Sequence, residues 1–144
     1  MDLERPLPHP ITPEARPYWE GLREHRLMLP RCLDCGRAFF YPRIACPSCH
    51  SRQIVWTQAS GRGRLHAFEI AYQPMGRAFT VKPPYVLAMI ELEEGPRMMS
   101  NLINVEPDPR AIRCDMPVEV VFERLTDEIT LPLFQPARPA GGGR

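Results

Sequence analysis

The sequence predicts a mainly β protein: a short N-terminal helix, a metal-binding ribbon, then a small five-stranded barrel. Two C-x2-C pairs, Cys32/Cys35 and Cys46/Cys49, stand ten residues apart, the spacing of two knuckles that share one metal ion. Eighteen prolines and nine glycines are too many for a helical protein and suit short strands joined by turns. From Ile54 onward the apolar residues recur with a period of two.

Residues 1–16 are proline-rich and read as extended, and a short helix is expected to begin near Pro17, a favourable first helical position. Tyr18, Trp19 and Leu22 fall on one stripe, with Glu20, Arg23 and Glu24 facing solvent. The aromatic pair reads first as packing against the rest of the chain and second as an anchor for a partner protein.

Leu27-Met28-Leu29 leads into the first knuckle as a strand, and Phe39-Phe40-Tyr41 follows it as another, ended by Pro42. Strand, knuckle, strand, knuckle is a zinc ribbon. Gly36 follows the first pair, where the turn needs positive φ. His50 follows the second, where glycine would be the easier choice. Four thiols close the coordination sphere, so Cys32, Cys35, Cys46 and Cys49 point to one structural zinc ion and away from metal catalysis. Iron in a rubredoxin-like site would use the same four sulfurs. A unit this small needs its metal for stability. Cys114 stands apart and is expected to be a small, partly buried side chain.

In the strand-only half Ile54-Val55-Trp56 opens the run. Residues 64–72 alternate His66, Phe68, Ile70 and Tyr72 with Leu65, Ala67, Glu69 and Ala71. Residues 85–93 follow, then a turn at Glu94-Gly95-Pro96 and a return over 97–105. Val118, Val120 and Phe122 alternate with Glu119 and Glu123, and Thr126-Asp127 turns into Ile129, Leu131 and Leu133. Five strands with a longer connection at 106–116 suggest a closed barrel of the OB type, although the spacing also permits other small barrels. The expected division is an extended N-terminus and helix at 1–26, the ribbon at 27–52, the barrel at 53–136 and a disordered tail at 137–144.

Net charge is +1, and residues 51–136 hold nine basic and eleven acidic side chains. A strongly basic nucleic-acid surface is therefore not expected. No apolar run reaches the roughly 18 residues of a membrane span. Residues 1–12, with Asp2, Glu4, Pro6, Pro8 and Pro10, contain no apolar leader core. The expected location is the cytoplasm, where thiols stay reduced.

Several short motifs occur in order: Tyr18-Trp19-Glu20-Gly21-Leu22, Cys32-x-x-Cys35-Gly36, Pro42-Arg43, Cys46-Pro47-x-Cys49, Trp56, Ser60-Gly61-Arg62-Gly63, Pro84-Tyr85-Val86 and Leu133-Phe134-Gln135-Pro136. With them the chain resembles, over about residues 11–136, the zinc-ribbon/OB-fold proteins of acyl-CoA metabolism once filed as a domain of unknown function. The resemblance implies an N-terminal helical segment, a rubredoxin-like ribbon and an OB barrel. It also implies a non-catalytic partner of thiolase-like enzymes, in some members fused or bound to MaoC-like enoyl-CoA hydratases. That chemistry is ketothiolase, acyltransferase or retro-aldol work on CoA thioesters, including steroid side-chain breakdown. Two positions depart from the family pattern: His50 stands where glycine is usual, and Cys114-Asp115 where a glycine precedes the fourth strand.

Three functions compete. As an accessory subunit, the chain would use the loop at 73–84 and the outer apolar face of strand 85–93, with Leu87 and Met89, to meet a partner. Met75, Arg77, Phe79 and Lys82, with Arg62 and Arg64, are the candidate contacts to that partner or to an acyl-CoA. As a single-stranded nucleic-acid-binding zinc-ribbon/OB module it would need a basic groove with stacking aromatics, and only Arg62, Arg64 and His66 cluster. Rubredoxin-like electron transfer ranks below both.

Overall fold

The computed structural model describes residues 7–8, 10–74, 76 and 81–138. Among these, a single-turn 3-10 segment, Pro13–Ala15, leads into helix α1, Arg16–Arg23, with Pro17 in its first turn. Tyr18, Gly21 and Leu22 are buried and Trp19 half-buried, so the aromatic stripe does face the protein. Gly21 permits the close approach: a Cβ there would lie 2.5 Å from Met28 Cγ. The helix ends where His25 takes a left-handed φ of 58°, its N–H donating to the Leu22 carbonyl, and its ring stacks on Phe122 at 5.0 Å.

Strand β1, Met28–Cys32, pairs antiparallel with β2, Ile54–Gln58. The sequence reading differed here. It took Ile54-Val55-Trp56 as the start of the strand-only run and Phe39-Phe40-Tyr41 as the ribbon's second strand. The latter stretch forms no strand; the one bridge nearby, Arg31 with Ala38, falls just before it, and its own residues turn to pack elsewhere: Phe39 against Cys32 and Cys46, Phe40 against the barrel core.

The barrel is built from β3 (Arg62–Ala71), β4 (Tyr85–Leu92), β5 (Arg97–Leu102), β6 (Pro117–Arg124) and β7 (Thr130–Pro136). It closes in the order β3-β4-β5-β7-β6, with β5 and β7 parallel. Closure removes the free edges that a sheet this small would otherwise expose. Val86, Ala88, Ile90 and Leu92 point inward as the alternation predicts. On β3 the alternation breaks at a bulge between Leu65 and Ala67, which puts Leu65 and then Phe68 and Ile70 against the same core, although strict alternation places Leu65 opposite the other two. The long connection after β5 buries Ile112 and ends on Asp115, whose φ is 66° and whose N–H donates to the Leu65 carbonyl. The departure from glycine there is thus an acid in a left-handed turn. Cys114 beside it is exposed, against the expectation of partial burial, because it sits in that turn with no strand partner.

Ribbon, helix and barrel share one core. Tyr18, Leu22, Leu27, Leu29 and Ala59 join Leu65, Ile90, Met98, Val118 and Phe134 in it. The tail expected at 137–144 falls outside the described residues from 139 onward.

Candidate metal centre and binding clefts

The two knuckles are built alike. In the first, the Gly36 N–H donates to the Cys32 carbonyl and the Cys32 N–H to the Arg37 carbonyl, both at 2.9 Å. In the second, the His50 N–H donates to the Cys46 carbonyl at 2.9 Å and the Cys46 N–H to the Ser51 carbonyl at 2.8 Å. Gly36 sits at φ 76° and His50 at φ 63°, so the histidine adopts the backbone that its place in the motif demands. The Ser51 hydroxyl donates to the Asp34 carboxylate and ties one knuckle to the other.

These turns bring the sulfurs of Cys32, Cys35, Cys46 and Cys49 within 4.8 Å of one another. Cys32 and Cys49 approach to 3.5 Å, and Cys35 and Cys46 to 3.6 Å. A tetrahedral ion with metal–sulfur bonds of about 2.3 Å separates its ligands by roughly 3.8 Å, so the four fit one zinc-sized ion. They are the one such group of His, Cys, Asp or Glu among the described residues.

The backbone prepares two of the thiols. At Cys32 the Cys35 N–H lowers the pKa against the effect of burial, helped by the Cys49 thiol and the Asp34 N–H. At Cys46 burial raises it, but the N–H groups of Cys49 and Ser48 and the neighbouring thiols bring it down to about 6. Cys49 has the Ser51 N–H pulling downward, yet its crowding against Cys32 and the other thiols, with burial, pushes it up to about 12. The thiolate is the form that takes up metal, and a lowered pKa makes it available near neutral pH.

Among the clefts formed by the described residues, three bear on the candidate contacts. One, of about 630 Å³, is bounded by Lys82, Tyr85, Leu87, Leu102, Ile103 and Leu133. The hydroxyl of Tyr85 is buried and has no hydrogen-bond partner among the described residues. A second, of about 410 Å³, runs between helix and barrel and shares Asn101, Leu131 and Leu133 with the first. A third, of about 320 Å³, is lined by Arg62 and Arg64 together with Glu91 and Glu93. Arg64 donates to the Asp115 carbonyl at 3.2 Å, and His66 and Arg97 both face Glu91. The candidate contact residues are therefore dispersed. Lys82 lines the first cleft, Arg62 and Arg64 the third, and Met75, Arg77 and Phe79 lie outside the described residues. Of the outer face of β4 expected to meet a partner, Leu87 lines the first cleft, while Met89 pairs across the sheet with Met99. Sequence reasoning did not single out Tyr85, Asn101 or Met99 as lining a cleft. Only the partial apolar run of β5 could have drawn attention to Met99.

A four-thiol ribbon packed on a closed barrel, with apolar clefts at the join, defines a zinc-ribbon/OB-fold protein. Comparison with known proteins identifies the family. Residues 19–55 match the rubredoxin-like zinc ribbon domain of ChsH2, and residues 56–123 match its C-terminal OB-fold domain. The chain belongs to this family, also known as DUF35. It is 36% identical over 119 residues to a DUF35 domain-containing scaffold protein of Methanothermobacter thermautotrophicus, covering 82% of this chain and 87% of that one. It is 35% identical over 133 residues to a probable enoyl-CoA hydratase alpha subunit of Thermomonospora curvata, covering 92% of this chain but only 40% of that protein. Among solved structures, the Ltp2-ChsH2(DUF35) aldolase matches with a TM-score of 0.78 and 33% identity, over 93% of this chain and 100% of the other. No helix among the described residues is long and apolar enough to cross a membrane.

Proposed function

We propose that this chain is a non-catalytic accessory subunit of a thiolase-like enzyme acting on acyl-CoA thioesters. The observation that carries the reading is the pairing of a closed four-thiol site with apolar clefts on a body that shares one core. Such a metal site supports a fold and offers no open position to a substrate. Cys32, Cys35, Cys46 and Cys49 hold one zinc ion in this reading, and a reducing cytoplasm keeps them free for it. Relatives named as scaffold proteins and as part of an aldolase support the role. A relative named as a hydratase subunit makes a MaoC-like hydratase a second candidate partner. The cleft lined by Lys82, Tyr85 and Leu87, apolar with one cation at its edge, is where an acyl-CoA would meet this chain in this reading.

The test is affinity purification of the full chain from its native host, with bound proteins identified and their activity measured. The expected result is a stoichiometric thiolase-like enzyme, with no turnover of CoA thioesters by the isolated chain. A sustained thiolase, hydratase or thioesterase rate from the chain alone, abolished by one point mutation, would overturn the reading.

Nucleic-acid binding is expected to be weak. Arg62 and Arg64 share their cleft with Glu91 and Glu93, so few counterions would be released on binding. Tight single-strand binding near physiological salt, falling steeply as salt rises, would favour the nucleic-acid module instead.

A further inference from the structure

We infer that the metal site shapes one wall of an uncharged aromatic groove, and that this groove receives an apolar segment of the thiolase-like partner. The inference rests on the accessory-subunit reading above and adds to it a surface and a means of control.

The groove is the 410 Å³ cleft between helix and barrel, where Trp19, Tyr41, Met99, Asn101, Leu131 and Leu133 meet. None of its lining residues is charged. Burial, and Tyr41 nearby, hold the Tyr18 phenol above its ordinary pKa, so it too stays neutral. Tyr41 and Met99 are each 54% exposed. Uncharged surface rich in Tyr, Trp and Met is the composition of an interface core. The occupant follows from the chemistry. A phosphate backbone needs cations in the groove, and there are none. An apolar protein segment needs only shape and apolar contact. A ChsH2 chain that this one matches over its whole length belongs to a two-component aldolase, so a protein partner for a unit of this size has a precedent.

The control comes from the linker between the cysteine pairs. Residues 36–45 join Cys35 to Cys46, and Phe40, Tyr41 and Pro42 in that linker line the groove. Phe39 is buried against Cys32 and Cys46, and its N–H donates to the Pro30 carbonyl at 3.0 Å. Phe40, the next residue, packs on the barrel core with its ring 5.3 Å from Tyr18 and 4.3 Å from Tyr41. An ion bound by all four thiols fixes both ends of this short linker, and with them the aromatic wall. Loss of the ion frees both ends.

The experiment uses the full zinc-loaded chain and the thiolase-like enzyme purified with it. Binding of the wild type is measured first, and if no complex forms, the accessory reading fails and the docking inference falls with it. If the complex forms, Met99→Glu and Tyr41→Ser are each expected to weaken it about tenfold or more. Zinc content and thermal midpoint should stay unchanged, because both side chains are largely exposed. Ile44→Ser, exposed on the same ribbon but outside the groove, is expected to bind like wild type. Groove variants that bind like wild type would overturn the inference, and weak binding by Ile44→Ser would then put the interface on the knuckle face. For the metal arm, a strong chelator is expected to speed hydrogen exchange at residues 38–42 at least tenfold and weaken the partner at least tenfold, with β4 and β5 still protected. Unchanged exchange at 38–42 in the metal-free chain would overturn the coupling.

Discussion

A Cys46→Ser chain is expected to purify with almost no zinc, where the wild type carries one ion. Cys46 is 1% exposed and lies 3.6 Å from Cys35. Serine would put a poor ligand with a high pKa into that enclosed position. The binding free energy of structural zinc in small folds is on the order of 10 kcal/mol, so losing one ligand of four leaves the knuckles without their main support. The damage should be graded. The hairpin of β1 and β2 and the linker should lose hydrogen-exchange protection. The barrel, whose ladder closes on itself, should keep most of it and lose some stability where Leu27 and Leu29 enter the shared core. Cys114→Ser, outside the cluster, should retain full zinc. Elemental analysis decides the matter: a full complement of zinc in the Cys46 variant, or iron with a rubredoxin colour in the wild type, would falsify the assignment.

What could be read from the sequence follows the range of the forces involved. The metal centre is local, since each knuckle is five or six residues held by its own turn. The doubled spacing and Gly36 therefore gave the geometry away, whereas His50, a departure from the expected glycine, adopts the same left-handed backbone at φ 63°. The barrel strands were legible because Val86, Ala88, Ile90 and Leu92 must face one way to reach one core. Barrel closure was less so. The spacing allowed several small barrels, and the resemblance to a known family selected the OB type. The bulge after Leu65 was illegible, because one extra residue reverses the alternation without any change in composition. The partner of β1 was misread because Phe39-Phe40-Tyr41 is as apolar as a strand, yet its neighbouring rings are drawn to different clusters. The clefts could not be read at all. Their walls come from the helix, the linker, β4, β5 and β7, which only the folded chain brings together.

Phe134→Ala is expected to cost about 3–5 kcal/mol of stability, the usual range for emptying a buried phenylalanine site. Phe134 is 0% exposed and lies opposite both Val120 on β6 and Leu102 on β5. The pairing with Leu102 is the one residue pair in register between β5 and β7, and the Ile103 N–H donates to the Phe134 carbonyl at 2.8 Å. Two side-chain hydrogen bonds also cross that seam, the Ser100 hydroxyl donating to the Pro132 carbonyl at 2.8 Å and the Asn104 amide donating to the Gln135 side-chain carbonyl at 2.7 Å. The ring therefore fills the core where the barrel wall is least held by hydrogen bonds, and neighbouring side chains have little ladder to slide along to fill the void. Domains of this size have about 5–15 kcal/mol in total, so the variant should be marginal at physiological temperature. At roughly 2–4 °C for each kcal/mol, the thermal midpoint should fall by on the order of 10 °C. Zinc content should be unchanged, because the knuckle turns close on their own backbone hydrogen bonds. That separates the variant from Cys46→Ser, which should lose the metal first and the barrel second. Denaturant unfolding with an unchanged slope and a loss below about 1 kcal/mol would show that the seam is held by something other than this ring.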